Sequence, residues 1–120
     1  MVKYMSMSYR GTPCQIVTID VDTGQLRVTT FPPGSGIGKS SVWLESRQHL
    51  LVAGGNPGWL SEYAPANGAL RAIGPCPDRD FYVAAVANDG KVYWGTYPGA
   101  RVVKYDPATD TITDYGPCNP

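Results

Sequence analysis

Residues 36–41 read GIGKSS, the ending of a phosphate-binding loop. Such a loop needs G-x-x-x-x-G-K-[S/T] between a strand and a helix, so that free backbone amides at the helix start receive the phosphate. Gly38, Lys39 and Ser40 fit the pattern, but Pro33 stands where the first glycine belongs. Three further groupings carry reactive side chains. Asp78 and Asp80 flank Arg79, an acid–base cluster. Asp20 and Asp22 sit in D-V-D-T-G, which offers carboxylates to calcium but lacks the acidic residue that would close the shell. Cys14, Cys76 and Cys118, with the single His49, are the local nucleophiles and base. An odd cysteine count without C-x-x-C argues against a disulfide framework and against a zinc site. No metal or cofactor is expected.

What these residues do depends on the elements that hold them, and those elements repeat. HLLVAGGNPGWLSEYAPANGALRAIGPCP (49–77) and KVYWGTYPGARVVKYDPATDTITDYGPCN (91–119) pair Tyr63 with Tyr105, Pro65 with Pro107, Gly74 with Gly116 and Cys76 with Cys118, each 42 residues apart. Upstream, SSVWLESRQ (40–48) falls on YVAAVANDG (82–90) at the same spacing. A worn third copy opens the chain: KYMSMSYRG (3–11) matches KVYWGTYPG, and IDVDTGQL (19–26) matches YDPATDTI (105–112). Within each copy, short β-branched and aromatic runs such as KVYWGTY, RVVKYD and TITDY alternate with turn sequences such as DPATD, DVDTG and APANG. Four such strands in about 42 residues make one propeller blade. The predicted fold class is therefore all-β, a partial β-propeller of three four-stranded antiparallel blades.

The chain reads as one segment, 1–120, with blade one at 1–34, blade two at 38–76 and blade three at 80–118. Strands are expected near 40–46, 49–54, 59–63 and 69–73 in blade two, and near 81–87, 91–96, 101–105 and 111–115 in blade three. Blade one has strands near 2–8, 14–20 and 25–31, and its innermost strand is missing because nothing precedes Met1. The residues after Lys39 then belong to an inner strand and not to a helix. PPGSGIGKSS is read as the connector between two blades, not as a phosphate site.

The bulk composition agrees. Ten basic and ten acidic residues cancel, which leaves no electrostatic footprint for nucleic acid or an anionic membrane surface. Gly and Pro together supply 25 residues, while 42% of the chain is hydrophobic, a pattern of many turns between buried strands. No apolar run approaches the roughly 20 residues of a membrane span, and MVKYMSMSYRG carries no apolar signal core. The expected location is cytoplasmic or within a larger particle such as a virion.

VYWGTYPGARVVKYDPATDTITDYG resembles the blades of bacterial propellers of the streptogramin-lyase and NHL type, which repeat a hydrophobic-Trp-Gly strand and a Y/D-P-x-T-G-x-I-x-x-Y hairpin. The resemblance covers about two and a half blades. It implies the propeller architecture and leaves function open, because this scaffold hosts lyases, hydrolases, lectins and docking platforms. In the lyase family a His and a Glu at the ring centre hold metal and do the chemistry. Here His49 aligns with Lys91 at a strand start, on the side opposite the binding face, so the activity is not carried over.

Known propellers close with about four to eight blades. Leaving a few hundred Å² of apolar surface wet on each outer face would forfeit something like ten kcal/mol at roughly 25 cal/mol per Å². The expected partner is therefore the chain itself, as a homodimer closing a six-bladed ring, or other chains that supply the missing blades. Blade-to-blade links and second-to-third-strand turns share one face of a propeller. By the repeat that face carries Tyr9, Arg10, Asn56, Trp59, Tyr97 and Arg101 in the turns, and Lys39, Asp78, Arg79 and Asp80 in the links. Aromatic faces beside Arg and Asn stack on sugar rings and bond their hydroxyls. These residues are the ligand-binding candidates, and no catalytic residue is assigned. The expected function is a non-enzymatic recognition module for a glycan or protein. The alternative is part of a propeller lyase or hydrolase whose catalytic groups come from another chain or are lost. Asp20, Asp22, Asp106 and Asp110 are expected to bond their own turn amides, and Trp43 and Trp94 to pack between blades.

Overall fold

The computed structural model describes Val2–Met7 as backbone, and residues 14–32 and 37–118 in full. The described residues form eleven strands and no helix. They are β1 Val2–Met7, β2 Gln15–Asp20, β3 Leu26–Thr30, β4 Ile37–Leu44, β5 His49–Gly55, β6 Trp59–Ala64, β7 Ala69–Pro75, β8 Asp80–Val86, β9 Val92–Tyr97, β10 Arg101–Asp106 and β11 Thr111–Pro117. Strands β1 to β3 make one antiparallel sheet. Strands β4 to β7 and β8 to β11 make two four-stranded antiparallel meanders, joined by the Gly55–Asp80 bridge. The fold is all-β and is that of a partial propeller: three wedges in series, the first with three strands among the described residues.

Hairpin chemistry sets the wedges' ends. Gly24, Gly68 and Asp110 take the same third-to-fourth-strand turn position in the three blades, with φ of 74°, 76° and 57°. That left-handed conformation suits glycine and is tolerated by aspartate. The Asp20 Oδ1 atom accepts from the Asp22 and Thr23 amides at 2.9 and 3.2 Å, and Asp106 Oδ1 from the Ala108 amide at 3.0 Å, as turn aspartates do. Asp110 departs from that expectation. Its carboxylate accepts from Arg71 Nη1 at 2.8 Å and from the Tyr105 hydroxyl at 2.8 Å.

Two features of the strands differ from the pattern of the repeat. The inner strand of blade two begins at Ile37, so Gly38 and Lys39 lie within β4 and not in a connector. With both in a strand, GIGKSS has no helix start to offer a phosphate. The second difference is in register. Ser40 lies opposite Ala53 and Val83 opposite Gly95, and Ala53 and Gly95 are equivalent positions. The inner strands therefore correspond with a spacing of 43, one more than the rest of the repeat, because a five-residue turn (87–91) joins β8 to β9 where four residues (45–48) join β4 to β5. Both inner strands carry a β-bulge at the same point, Lys39 in β4 and Tyr82 in β8.

Blade two is covered on both faces. Toward blade one, Leu50, Val52 and Tyr63 pack on Cys14, Ile16 and Phe31, with Trp43, Trp59 and Leu70 at the margin. The Tyr63 hydroxyl lies 2.7 Å from Thr18 Oγ1. Toward blade three, Leu44, Leu51, Ala53 and Leu60 meet Phe81, Val92, Trp94, Val103 and Tyr105. Trp94 is fully buried and donates from Nε1 to Ser40 Oγ at 3.2 Å. Both tryptophans expected to pack between blades do so.

One end of the second contact is ionic. Glu62 on β6 is buried, and its carboxylate accepts from Arg71 Nη2 at 2.7 Å, from Arg47 Nη1 at 2.9 Å and meets His49 Nδ1 at 3.1 Å. Arg47 also donates across the contact to the Pro107 carbonyl, and Arg71 reaches Asp110. Burial alone would raise the Glu62 carboxyl; the Arg71, Arg47 and His49 bonds outweigh it and hold it at about 2. A folded value below the unfolded 4.5 stabilises the fold fully above about pH 4.5, and that stabilisation is lost as pH falls toward about 2. The increment is on the order of 3 kcal/mol. Glu62→Gln is expected to lower the unfolding free energy at pH 7 by about that amount. In urea titrations across a pH series, the two proteins should converge between about pH 4.5 and pH 2; parallel curves would show that Glu62 does not carry this dependence.

Candidate functional site

Of the residues singled out in the sequence, Asp78, Arg79, Asp80, Tyr97 and Arg101 lie where β7 links to β8 and β9 turns into β10. Backbone bonds tie two links to their adjacent turns: the Cys76 amide donates to the Gly58 carbonyl at 3.0 Å, and the Cys118 amide, its repeat equivalent, to the Ala100 carbonyl at 2.8 Å. The Asn56 amide donates to the Arg79 carbonyl at 3.2 Å. The loops of blades two and three thus form one rigid rim.

Asp78 fixes that rim. Its Oδ2 accepts from Thr96 Oγ1 at 2.7 Å and from the Gly99 amide at 2.8 Å, and its Oδ1 from the Arg79 amide at 2.8 Å. A side chain at Gly99 would meet the carboxylate, since its Cβ would lie 2.7 Å from Asp78 Oδ2. Burial opposes the charge, but the Thr96, Arg79 and Gly99 bonds together keep the Asp78 carboxyl below its usual range. Thr96 Oγ1 accepts in turn from the Arg101 amide at 3.0 Å. Asp78 is thus a structural acceptor with its oxygens engaged.

Asp80, expected on the surface, is 1% exposed. Its Oδ2 accepts from Arg79 Nε and Nη2 at 3.3 and 3.0 Å. Its Oδ1 has no hydrogen-bond partner among the described residues and lies over Gly55, where an added Cβ would come within 2.4 Å of it. Trp59 is likewise turned inward. Its ring stands edge-on to Phe31 at 4.8 Å and lies over Gly54, so it packs blade one to blade two instead of facing a ligand. Arg101 holds Asp114 through Nε at 3.0 Å and Nη2 at 2.6 Å. Asn56 is exposed, with φ of 54°. Tyr9 and Arg10 lie outside the described residues.

What remains open to a ligand is a ladder of cations and rings. The Arg79 guanidinium lies 5.0 Å from the centre of the Tyr97 ring. Tyr97 stands 6.1 Å from Tyr82, and Lys39 Nζ lies 5.7 Å from the Tyr82 ring centre. Tyr97 and Tyr82 are 50% and 53% exposed. Lys39 and Tyr82 reach this place because each occupies the bulge of its inner strand, and a bulge re-aims its side chain. Sequence reasoning did not select Tyr82. Its signal was a large aromatic on an inner strand, hidden by an alignment that set it against Ser40 instead of Lys39.

The chemistry on offer is stacking and hydrogen bonding. Burial pushes the Cys76 thiol up to about 11, so it is not a ready nucleophile. His49 sits against Glu62 in the ionic cluster near the β4–β5 turn, away from this rim. Among the described residues no group of three or more His, Cys, Asp and Glu side chains is placed to hold a metal ion. Asp78→Asn is expected to cost about 2 kcal/mol in equilibrium unfolding by weakening charged acceptor bonds, and to raise hydrogen exchange at the Gly99 amide. Unchanged Gly99 protection would show that another contact holds the turn. No protein-family model matches this chain, and no curated protein matches it.

Proposed function

We propose that this chain is a non-enzymatic recognition module, one arc of a propeller ring completed by association, that presents the Arg79–Tyr97–Tyr82–Lys39 surface to a glycan. The observation that carries the reading is the pair of half-exposed tyrosines on neighbouring elements, each flanked by a cation. Tyrosine faces offer CH-rich sugar faces a flat apolar platform. Lys39 and Arg79 supply donors for hydroxyls or acidic groups around it. The rim beneath is braced by Asp78 and by paired link-to-turn bonds, so little order is lost when a ligand docks. The resemblance of the blades to streptogramin-lyase and NHL propellers supports the ring architecture. No observation among the described residues favours the lyase alternative, whose catalytic groups another chain would have to bring.

A glycan array probed with labelled protein, followed by calorimetric titration of the best oligosaccharide, tests the reading. Tyr82→Ala and Tyr97→Ala are each expected to weaken binding by roughly tenfold with unchanged melting, because both side chains are half in solvent. Failure to retain any glycan, or affinity indifferent to both changes, would overturn it. Release of shortened or unsaturated sugars on incubation would move the protein to the lyase reading.

A further inference from the structure

We propose that the partner completing the ring is a second copy of this chain, the open face of its first blade docked head to tail on the open face of the third. The inference rests on the ring reading above and adds the partner's identity and the contacting faces.

The internal repeat supplies the template. The covered face of blade two presents Leu51, Leu60 and Ile73 to blade three. Forty-two residues on, the same positions are Tyr93, Val102 and Tyr115, and they lie on the outer face of blade three. Val83, opposite Gly95, joins them. Val83 and Tyr115 are each more than half exposed. The open face of blade three is thus built like a face that is elsewhere buried by a neighbouring blade.

The covering face has its own counterpart. Blade three covers blade two with Val103, Tyr105 and Ile112, and blade two presents Ser61, Tyr63 and Leu70 to blade one at the same positions. In blade one those positions are Val17, Ile19 and Leu26. Register puts Val17 opposite Val28 and Ile19 opposite Leu26, so the four share one face. That face points away from blade two, because the alternate residues Ile16 and Thr18 are buried against it. Leu26 and Val28 are more than half exposed. One end of the chain therefore carries the covered type of face and the other the covering type. Two identical arcs of three blades satisfy both, and six blades lie within the range of closed rings.

Charge fits the same register. Lys104 occupies the place of Glu62, whose ionic cluster reaches over to the Pro107–Asp110 hairpin of the next blade. In a head-to-tail pair the hairpin facing Lys104 is residues 20–24, which carries Asp20 and Asp22. An inward Lys from one copy meets an acidic turn from the other. Neither partner of that contact is committed elsewhere to an ion pair among the described residues.

Light scattering on the full chain tests this, with twice the 12.9 kDa chain mass expected. Lys104→Glu and Asp22→Lys are each expected to weaken dimerisation by roughly tenfold, and the double variant to restore it, since each swap then meets its complement in the partner copy. Val28→Glu, on an exposed side chain that no fold contact needs, is expected to leave a folded single-chain species. A folded protein at one chain mass, an assembly of any other number, or a dimer indifferent to all these variants would overturn the proposal. Titrating the same samples with glycan separates the two readings. A single chain that still binds sugar through Tyr97 sinks the second-copy contact alone. A dimer that responds to the charge swaps and binds no sugar sinks the glycan reading alone.

Discussion

The contact between blades two and three is the interaction on which the rest of the structure depends. A single antiparallel meander of four short strands has two faces and too little interior to bury either one. Setting Trp94 and Tyr105 of one meander against Leu51 and Leu60 of another turns two half-buried sheets into a core. Charged clusters close this contact at both ends. At one, Glu62 gathers Arg47, Arg71 and His49; at the other, Asp78 and Arg79 bind link to turn. Apolar surface between the sheets is non-directional and would tolerate sliding. The carboxylate–guanidinium bonds that cross from one wedge to the next, Arg71 to Asp110 at 2.8 and 3.1 Å, are directional and fix the angle at which the two meet, while Glu62 holds Arg71 in place for them.

The contact between blades one and two is made differently. Among the described residues it has no buried carboxylate. A tyrosine–threonine hydroxyl pair, Tyr63 with Thr18, stands at the centre, and Arg27 Nη1 donates to the Pro65 carbonyl at 3.1 Å. That last bond parallels the one from Arg47 to Pro107. Two neighbouring contacts of one small chain thus reach the same geometry with different polar groups. This is the behaviour expected when apolar cover supplies the energy and polar groups set the alignment.

Much of the architecture was legible because the repeat writes it twice. Tyr63 and Tyr105, or Cys76 and Cys118, recur at one spacing, and turn residues bracket every strand. The errors arose where local chemistry departs from that periodicity. One extra residue in the β8–β9 turn shifts the inner strand by a position, and an ungapped comparison does not see a turn insertion. The repeat puts Asp80 in a link on the binding face, yet Gly55 lacks the side chain that would keep it out, and so the carboxylate folds under the bridge. The repeat puts Trp59 in a turn on the binding face, yet Gly54 opposite leaves a seat for its indole. In both cases the deciding residue is a glycine on the neighbouring strand, whose effect appears only once strands are paired. The ladder of Lys39, Tyr82, Tyr97 and Arg79 was half visible, since its members come from three elements that only the fold brings together.

In a regular strand every side chain belongs to one face or the other, and each change on a wedge face disturbs a neighbour. A residue set between two ladder rungs belongs to neither face. Blades two and three thereby each hold one position, Lys39 and Tyr82, that answers to neither wedge face. Copying the unit copies the position, while its occupant is free to vary, here a lysine in one blade and a tyrosine in the next. A scaffold grown by duplication can in this way diversify its inner rim one letter at a time and leave its joints untouched.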